Sequence, residues 1–417
     1  MTRALLALAA ALLLLPLGLH ASAAGPRTLT VSPTGDYHTI QAAVDAASPG
    51  DTVLVAPGVY QEAVSVSTPD VTIRGEDREG VVLDGGEALG NAFTVTADGV
   101  TLASMTAQHY ASNGFVFTRV DGCRFDDLHA KDNGEYGLYA VHSRHCVMEN
   151  SLAEGHGDSG FYLGETVDCD CDVQDNVGWN NMLGYSGTAN SHIRIHGNDF
   201  FWNRAGILLS VLPDEMGADV CPDPAGGSPA PGDACPGVTP YGLQTRTEVY
   251  GNHVHDNNNH TRATGLFATV HPPVGEGIVI SGGWNDDVHD NLVEDNHLWG
   301  VGIFWLTTPP RGNFVHDNQI SGGRYGIWWD EQGEDHCFAN NAITDVRVAS
   351  DPAVLPSCPG PAGDLPCPAA LSDYAACRAN DARAPSAAKD AGLAWRSYWD
   401  LDPSQDAPAT KPTGDGA

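Results

Sequence analysis

From Gly114 onward the chain repeats itself about every 23 residues, and this period limits the fold more than any single motif. Glycines that open apolar stretches fall at Gly114, Gly137, Gly160, Gly184 and Gly206, with spacings of 23, 23, 24 and 22 residues. The beat returns at Gly277, Gly302 and Gly326, and Cys123, Cys146 and Cys169 keep the same time. A fixed period of this size predicts a solenoid in which each repeat is one coil stacked on its neighbours. Strand alternation then places Phe115, Leu138, Phe161 and Ile207 inside. The second residue past each glycine points outward: Val116, Tyr139, Tyr162, Ser186, Leu208, Val279, Phe304 and Trp328.

The entry to the stack reads differently. Ile40, Ala43, Val44 and Ala47 have the i, i+3, i+4, i+7 spacing of an amphipathic helix. Ser48-Pro49-Gly50-Asp51 stops it. Such a helix covers the open end of a solenoid, where unpaired strand edges invite aggregation.

The run from Tyr37 to Ala47, then Gly50-Asp51-Thr52-Val53-Leu54-Val55, Ala56-Pro57-Gly58-Val59-Tyr60 and Val71-Thr72-Ile73-Arg74-Gly75, resembles the N-terminal cap and first coils of pectin-lyase-like proteins. The resemblance covers about residues 28–349. It implies an all-β right-handed parallel β-helix with an N-terminal helix cap, acting on or gripping carbohydrate. It matches no single enzyme family. Asp126-Asp127, Gly155-His156-Gly157 and Arg194-Ile195-His196 loosely resemble the polygalacturonase set. Asn-Thr-Asp is missing, however, and His196 stands where that set has lysine.

Around this solenoid the chain divides into segments. Residues 1–24 have the make-up of a secretion signal: Arg3, the apolar run from Ala4 to Leu19, and a cleavage site after Ala23 or Ala24. Residues 212–247 break the period as an inserted loop carrying Cys221 and Cys235. Residues 350–417 form a Cys-containing, Pro/Ala-rich extension that is expected to be partly disordered. A secreted, extracellular monomer is expected, with ten cysteines suited to an oxidising compartment.

The charge narrows the partners. Fifty-three acidic against 20 basic residues give a net charge of −33. That surface repels nucleic acid and anionic membranes, and no span follows the leader. A neutral extracellular polysaccharide fits it, as does an acidic one bridged by Ca²⁺ held between oxygen ligands.

Candidate chemistry follows from the columns. Tyr139, Tyr162, Phe304 and Trp328 offer flat outward rings suited to the C–H faces of sugars. Asp330, Glu331, Glu165 and Asp158 lie near them as candidate acids or bases. The three periodic cysteines read as a buried column with Ile193 next, one pair of which can bridge. Val254-His255-Asp256-Asn257, Val288-His289-Asp290-Asn291 and Val315-His316-Asp317-Asn318 read as turns with stacked Asn amides, so no metal site is assigned. The rival reading is a non-catalytic scaffold for adhesion, assembly or periplasmic metal delivery.

Overall fold

The computed structural model describes residues 25–166, 168–211, 244–260, 273–305 and 309–358. Residues 1–24, expected to be a secretion signal, most of the inserted segment with Cys221 and Cys235, and the extension beyond 358 lie outside the described residues. Parallel strands stack from Thr28–Val31 to Val348–Asp351. They form a larger sheet of 21 strands, two per coil along most of its length, and a smaller sheet of 11 strands, one per coil. The fold is a right-handed parallel β-helix.

The helix Ile40–Ala46 caps the first coil. Thr39 accepts the Ala42 N–H, Glu62 accepts those of Ile40 and Gln41, and Ile40, Ala43 and Val44 are buried. Inside, Phe93, Phe115, Leu138 and Phe161 stack in register along the smaller sheet. Each buries apolar surface against the coils above and below at about 4.8 Å spacing.

Asparagine ladders fix two of the corners. In one, Asn176, Asn198, Asn252, Asn291, Asn318 and Asn341 pass Nδ2–H to Oδ1 from coil to coil at 2.9–3.0 Å. In the other, Asn181, Asn203, Asn257 and Asn296 do the same at 3.0–3.2 Å. The expected stacked amides are therefore present, but at two corners. Asn257 belongs to one ladder, whereas Asn291 and Asn318 belong to the other. His156 takes a rung of the second ladder, its Nδ1 accepting the Asn133 N–H. Burial lowers its pKa to about 4, so this ring is a neutral corner element.

The cysteine column needs a correction. Cys123 opposes Cys146 and is bridged to it. The partner of Ile193 is Cys171, not Cys169. That coil is two residues longer, and Cys169 bridges back to Cys171. Cys337 pairs with Cys358 and ties down the end of the stack.

Candidate functional site

Alternation places the expected residues on the outer face of the smaller sheet. The register runs Tyr139, Tyr162, Ser186, Leu208, Val279, Gly302, Trp328. Gly302 is thus a member of the outward column and not its opening glycine, because the strand Trp299–Phe304 begins two residues earlier than the period implies. Phe304 opposes Ser281 and sits in the next column, with its ring 6.2 Å from that of Trp328.

The far end of this face is packed, not open. Phe304 and Trp328 are each only 2% exposed. Trp299 folds its indole over Gly302, where a Cβ would come within 2.7 Å of the ring, and stacks on Trp328 at 4.8 Å. These rings belong, with Met182, Leu208, Val279 and Tyr325 among others, to a cluster separate from the main core. The expectation that Phe304 and Trp328 form exposed sugar platforms is overturned: their rings are already in apolar contact. Glu276, between Ala205 and Trp299 on the same face, is buried, and burial pushes its carboxyl pKa well up.

The other end gathers polar chemistry. The rings of Tyr136, Tyr139 and Tyr162 lie 4.7–5.1 Å apart. Tyr139 is half-buried, whereas Tyr162 is only 5% exposed and backs the cluster. Asp158 sits beneath them, 4% exposed. Its Oδ1 accepts from Ser159 Oγ at 2.8 Å, its side chain bonds to the Tyr136 hydroxyl, and Ser159 Oγ lies 2.6 Å from Ser186 Oγ. Burial raises the Asp158 carboxyl to about 7, despite those hydrogen bonds. A carboxyl poised there can deliver a proton near neutral pH.

Glu165 approaches the same tyrosines, and its charge helps to push the Tyr139 and Tyr162 hydroxyls up. His142 Nδ1 donates to the Glu165 carbonyl at 3.0 Å, and Nε2 lies 3.3 Å from Glu165 Oε2. The structure therefore brings Asp158, Glu165, Tyr139 and Tyr162 together. Asp330 and Glu331 stand apart, five strands along the stack from Tyr162, or about 24 Å at 4.8 Å per strand. Asp330 accepts the Trp305 and Gln332 N–H groups at 2.8 and 2.9 Å, which makes it a loop anchor, and burial raises it to about 6. Glu331 is exposed with a left-handed backbone, φ 61°.

Sequence reasoning missed Tyr136, Ser159 and His142. The residue before each opening glycine forms its own outward column, and reading that column finds Tyr136 and Ser159. It also missed the outer face of the larger sheet. There His196, Tyr250, His289 and His316 stack ring on ring at 4.8–5.3 Å. His255 is elsewhere, stacked on Phe201 and beside His253 and Asp199. That trio is, among the described residues, the group whose ligand atoms converge as a metal site requires.

Comparison with known proteins supports the architecture. A family model for the right-handed β-helix region matches residues 57–211. The A-module of the Azotobacter vinelandii mannuronan C-5 epimerase AlgE4 superposes with a TM-score of 0.54 at 14% identity, covering 75% of this chain and 92% of that one. The AlgE6 A-module from the same organism gives 0.55 at 15%, covering 77% and 91%. The DFA-IIIase of Arthrobacter chlorophenolicus A6 without its lid gives 0.50 at 13%, covering 77% and 99%. No curated protein sequence matches. At these identities the likeness is one of fold. The chain carries a right-handed β-helix region and folds as a right-handed parallel β-helix, the fold of these neighbours.

Proposed function

We propose that this is an exported carbohydrate-active protein that binds an extracellular polysaccharide across Tyr139 and cleaves it with Asp158 as proton donor. The observation that carries the reading is Asp158 itself, a buried carboxyl raised to about 7 beneath the Tyr136, Tyr139 and Tyr162 rings. Hydrolysis and elimination both need an acid at the departing sugar oxygen, and Asp158 supplies it. Glu165 is the second carboxylate, and Tyr139 the accessible sugar contact. The mannuronan C-5 epimerase and DFA-IIIase neighbours add a precedent for sugar chemistry on this fold. A net charge of −33 favours a neutral glycan, or an acidic one bridged by Ca²⁺.

The test is a polysaccharide panel assayed for new reducing ends and unsaturated products, with and without EDTA. The wild type is expected to release product from at least one glycan, and Asp158→Asn to lower the rate about 10²–10⁴-fold. Binding without product on every glycan would favour the scaffold reading, which the packed end at Trp299 and Trp328 also suits.

A further inference from the structure

We propose that Asp199, His253 and His255 bind one divalent cation of the Zn²⁺ class, through one carboxylate oxygen and two imidazole nitrogens. The site lies on the outer face of the larger sheet, away from the tyrosine cluster, and does not depend on the carbohydrate reading. The strand His253–His255 alternates, burying Val254 completely and sending both imidazoles to the same outer side. Asp199, from the strand Asp199–Phe201, opposes His253 in register. All of these ligand atoms lie within 4.8 Å of one another.

The hydrogen bonds say how each ring is turned. His253 Nε2 faces Glu294 Oε2 at 3.2 Å, and His255 Nδ1 faces Asp256 Oδ2 at 3.0 Å. An ionised carboxylate only accepts, so each of these nitrogens carries the hydrogen. The other two nitrogens, His253 Nδ1 and His255 Nε2, are the ones turned toward Asp199, and His255 Nε2 hydrogen-bonds to it in the absence of a metal. They lie 3.7 and 3.1 Å from the same atom, Asp199 Oδ1. A divalent cation would replace the proton of that hydrogen bond and use both nitrogens and the carboxylate at once.

The distances suit one. Ligands about 2.0–2.2 Å from a tetrahedral metal stand roughly 3.3–3.6 Å apart, and the observed 3.1 and 3.7 Å bracket that range. Imidazoles held by carboxylates on their far nitrogens are the usual second layer of a metal site. Here Glu294 and Asp256 fill that role, while the rings of His253 and His255 stack at 3.9 Å and Phe201 packs on His255 at 5.2 Å. Two nitrogens and one oxygen select a borderline metal over Ca²⁺ or Mg²⁺. The half-exposed side leaves a fourth position for water or a ligand.

The test uses the whole protein, stripped with EDTA, dialysed, and titrated with Zn²⁺ by calorimetry and with Co²⁺ by visible absorption. The expected result is one equivalent bound, a Co²⁺ ligand-field band, and a Tm that rises with Zn²⁺. His253→Ala and His255→Ala each remove saturable binding, Glu294→Gln weakens it about 10–100-fold, and His289→Ala leaves it unchanged. The proposal is overturned if the wild type binds neither metal saturably, or if both alanine variants bind as the wild type does. Should an alanine variant fail to fold, Glu294→Gln and the wild-type Tm decide: an unchanged Glu294→Gln affinity, or no Zn²⁺-dependent rise in Tm, overturns it.

Discussion

Ser159 donates from Oγ to Asp158 Oδ1 at 2.8 Å, holding a carboxyl that burial raises from 3.8 to about 7. Its unfolded pKa is near 3.9, so the folded state holds the proton more tightly between pH 4 and 7. Below about pH 4 both states are protonated and the residue costs nothing. The cost grows as pH rises and is complete above about pH 7, at roughly 4 kcal/mol. Urea denaturation of Asp158→Asn against the wild type should show no gap near pH 4 and a growing gain for the variant toward pH 8. A gap independent of pH would sink this assignment of the proton.

Asn252 joins coils across the whole interruption of the sequence. Its Oδ1 accepts from the Asn198 side chain at 2.9 Å, and its Nδ2 donates to Asn291 Oδ1 at 2.9 Å and to the Ile195 carbonyl at 2.8 Å. Asn252→Ala strands buried partners on both neighbouring coils. Each unsatisfied group costs about 1–3 kcal/mol, so a loss of about 2–4 kcal/mol is expected in equilibrium urea unfolding.

His156 stands where the ladder elsewhere has asparagine. Its pKa is lowered to about 4 by burial, against 6.5 unfolded, so the unfolded state takes up protons first as pH falls. Stability from the neutral ring is complete above about pH 6.5 and is lost toward pH 4. His156→Asn should therefore gain on the wild type as pH drops across that window. Thermal melts at pH 7 and pH 5 measure it, and equal differences at both would count against the buried neutral ring.

Trp328 and Tyr139 occupy one outward column but are expected to behave oppositely. Trp328→Ala removes a ring stacked on Trp299 at 4.8 Å and should cost about 3–5 kcal/mol. Tyr139→Ala removes a half-buried ring from the cluster and should weaken glycan binding with a smaller loss of stability. Paired melts and affinity gels on the two variants compare these effects directly.

The disulfide Cys123–Cys146 closes a loop with a sequence separation of 23, whereas Cys169–Cys171 spans a separation of 2. Loop entropy predicts about 3 kcal/mol for the first, and about 1–2 kcal/mol less for the second. Double alanine variants of each pair, compared by denaturant midpoint, test that ordering.

Much of this architecture was legible in the sequence because a β-helix is locally periodic. Gly114, Gly137 and Gly160 mark the same point of successive coils, and Phe115, Leu138 and Phe161 face in by simple alternation. The errors arise where the period slips. Two extra residues move Cys171 into the column expected for Cys169, and an early strand start moves Gly302 into the column expected for Phe304. Alternation gives the direction of a side chain and not what lies over it, so the packing of Trp328 could not be read. The trio at Asp199 depends on contact between residues 54 and 56 positions apart. Only the local pattern His253-Val254-His255 announces it.

Between Asn203 and Asn257 the chain runs 54 positions, where the neighbouring rung spans 22, yet the amide bonds are 3.0 and 3.2 Å. The stack does not register how much chain passes between its rungs. New segments can therefore enter at that side of a coil without changing the geometry of the coils that flank it. The scaffold is in this sense a fixed frame with an open margin, on which novelty accumulates by insertion while the interior keeps its count.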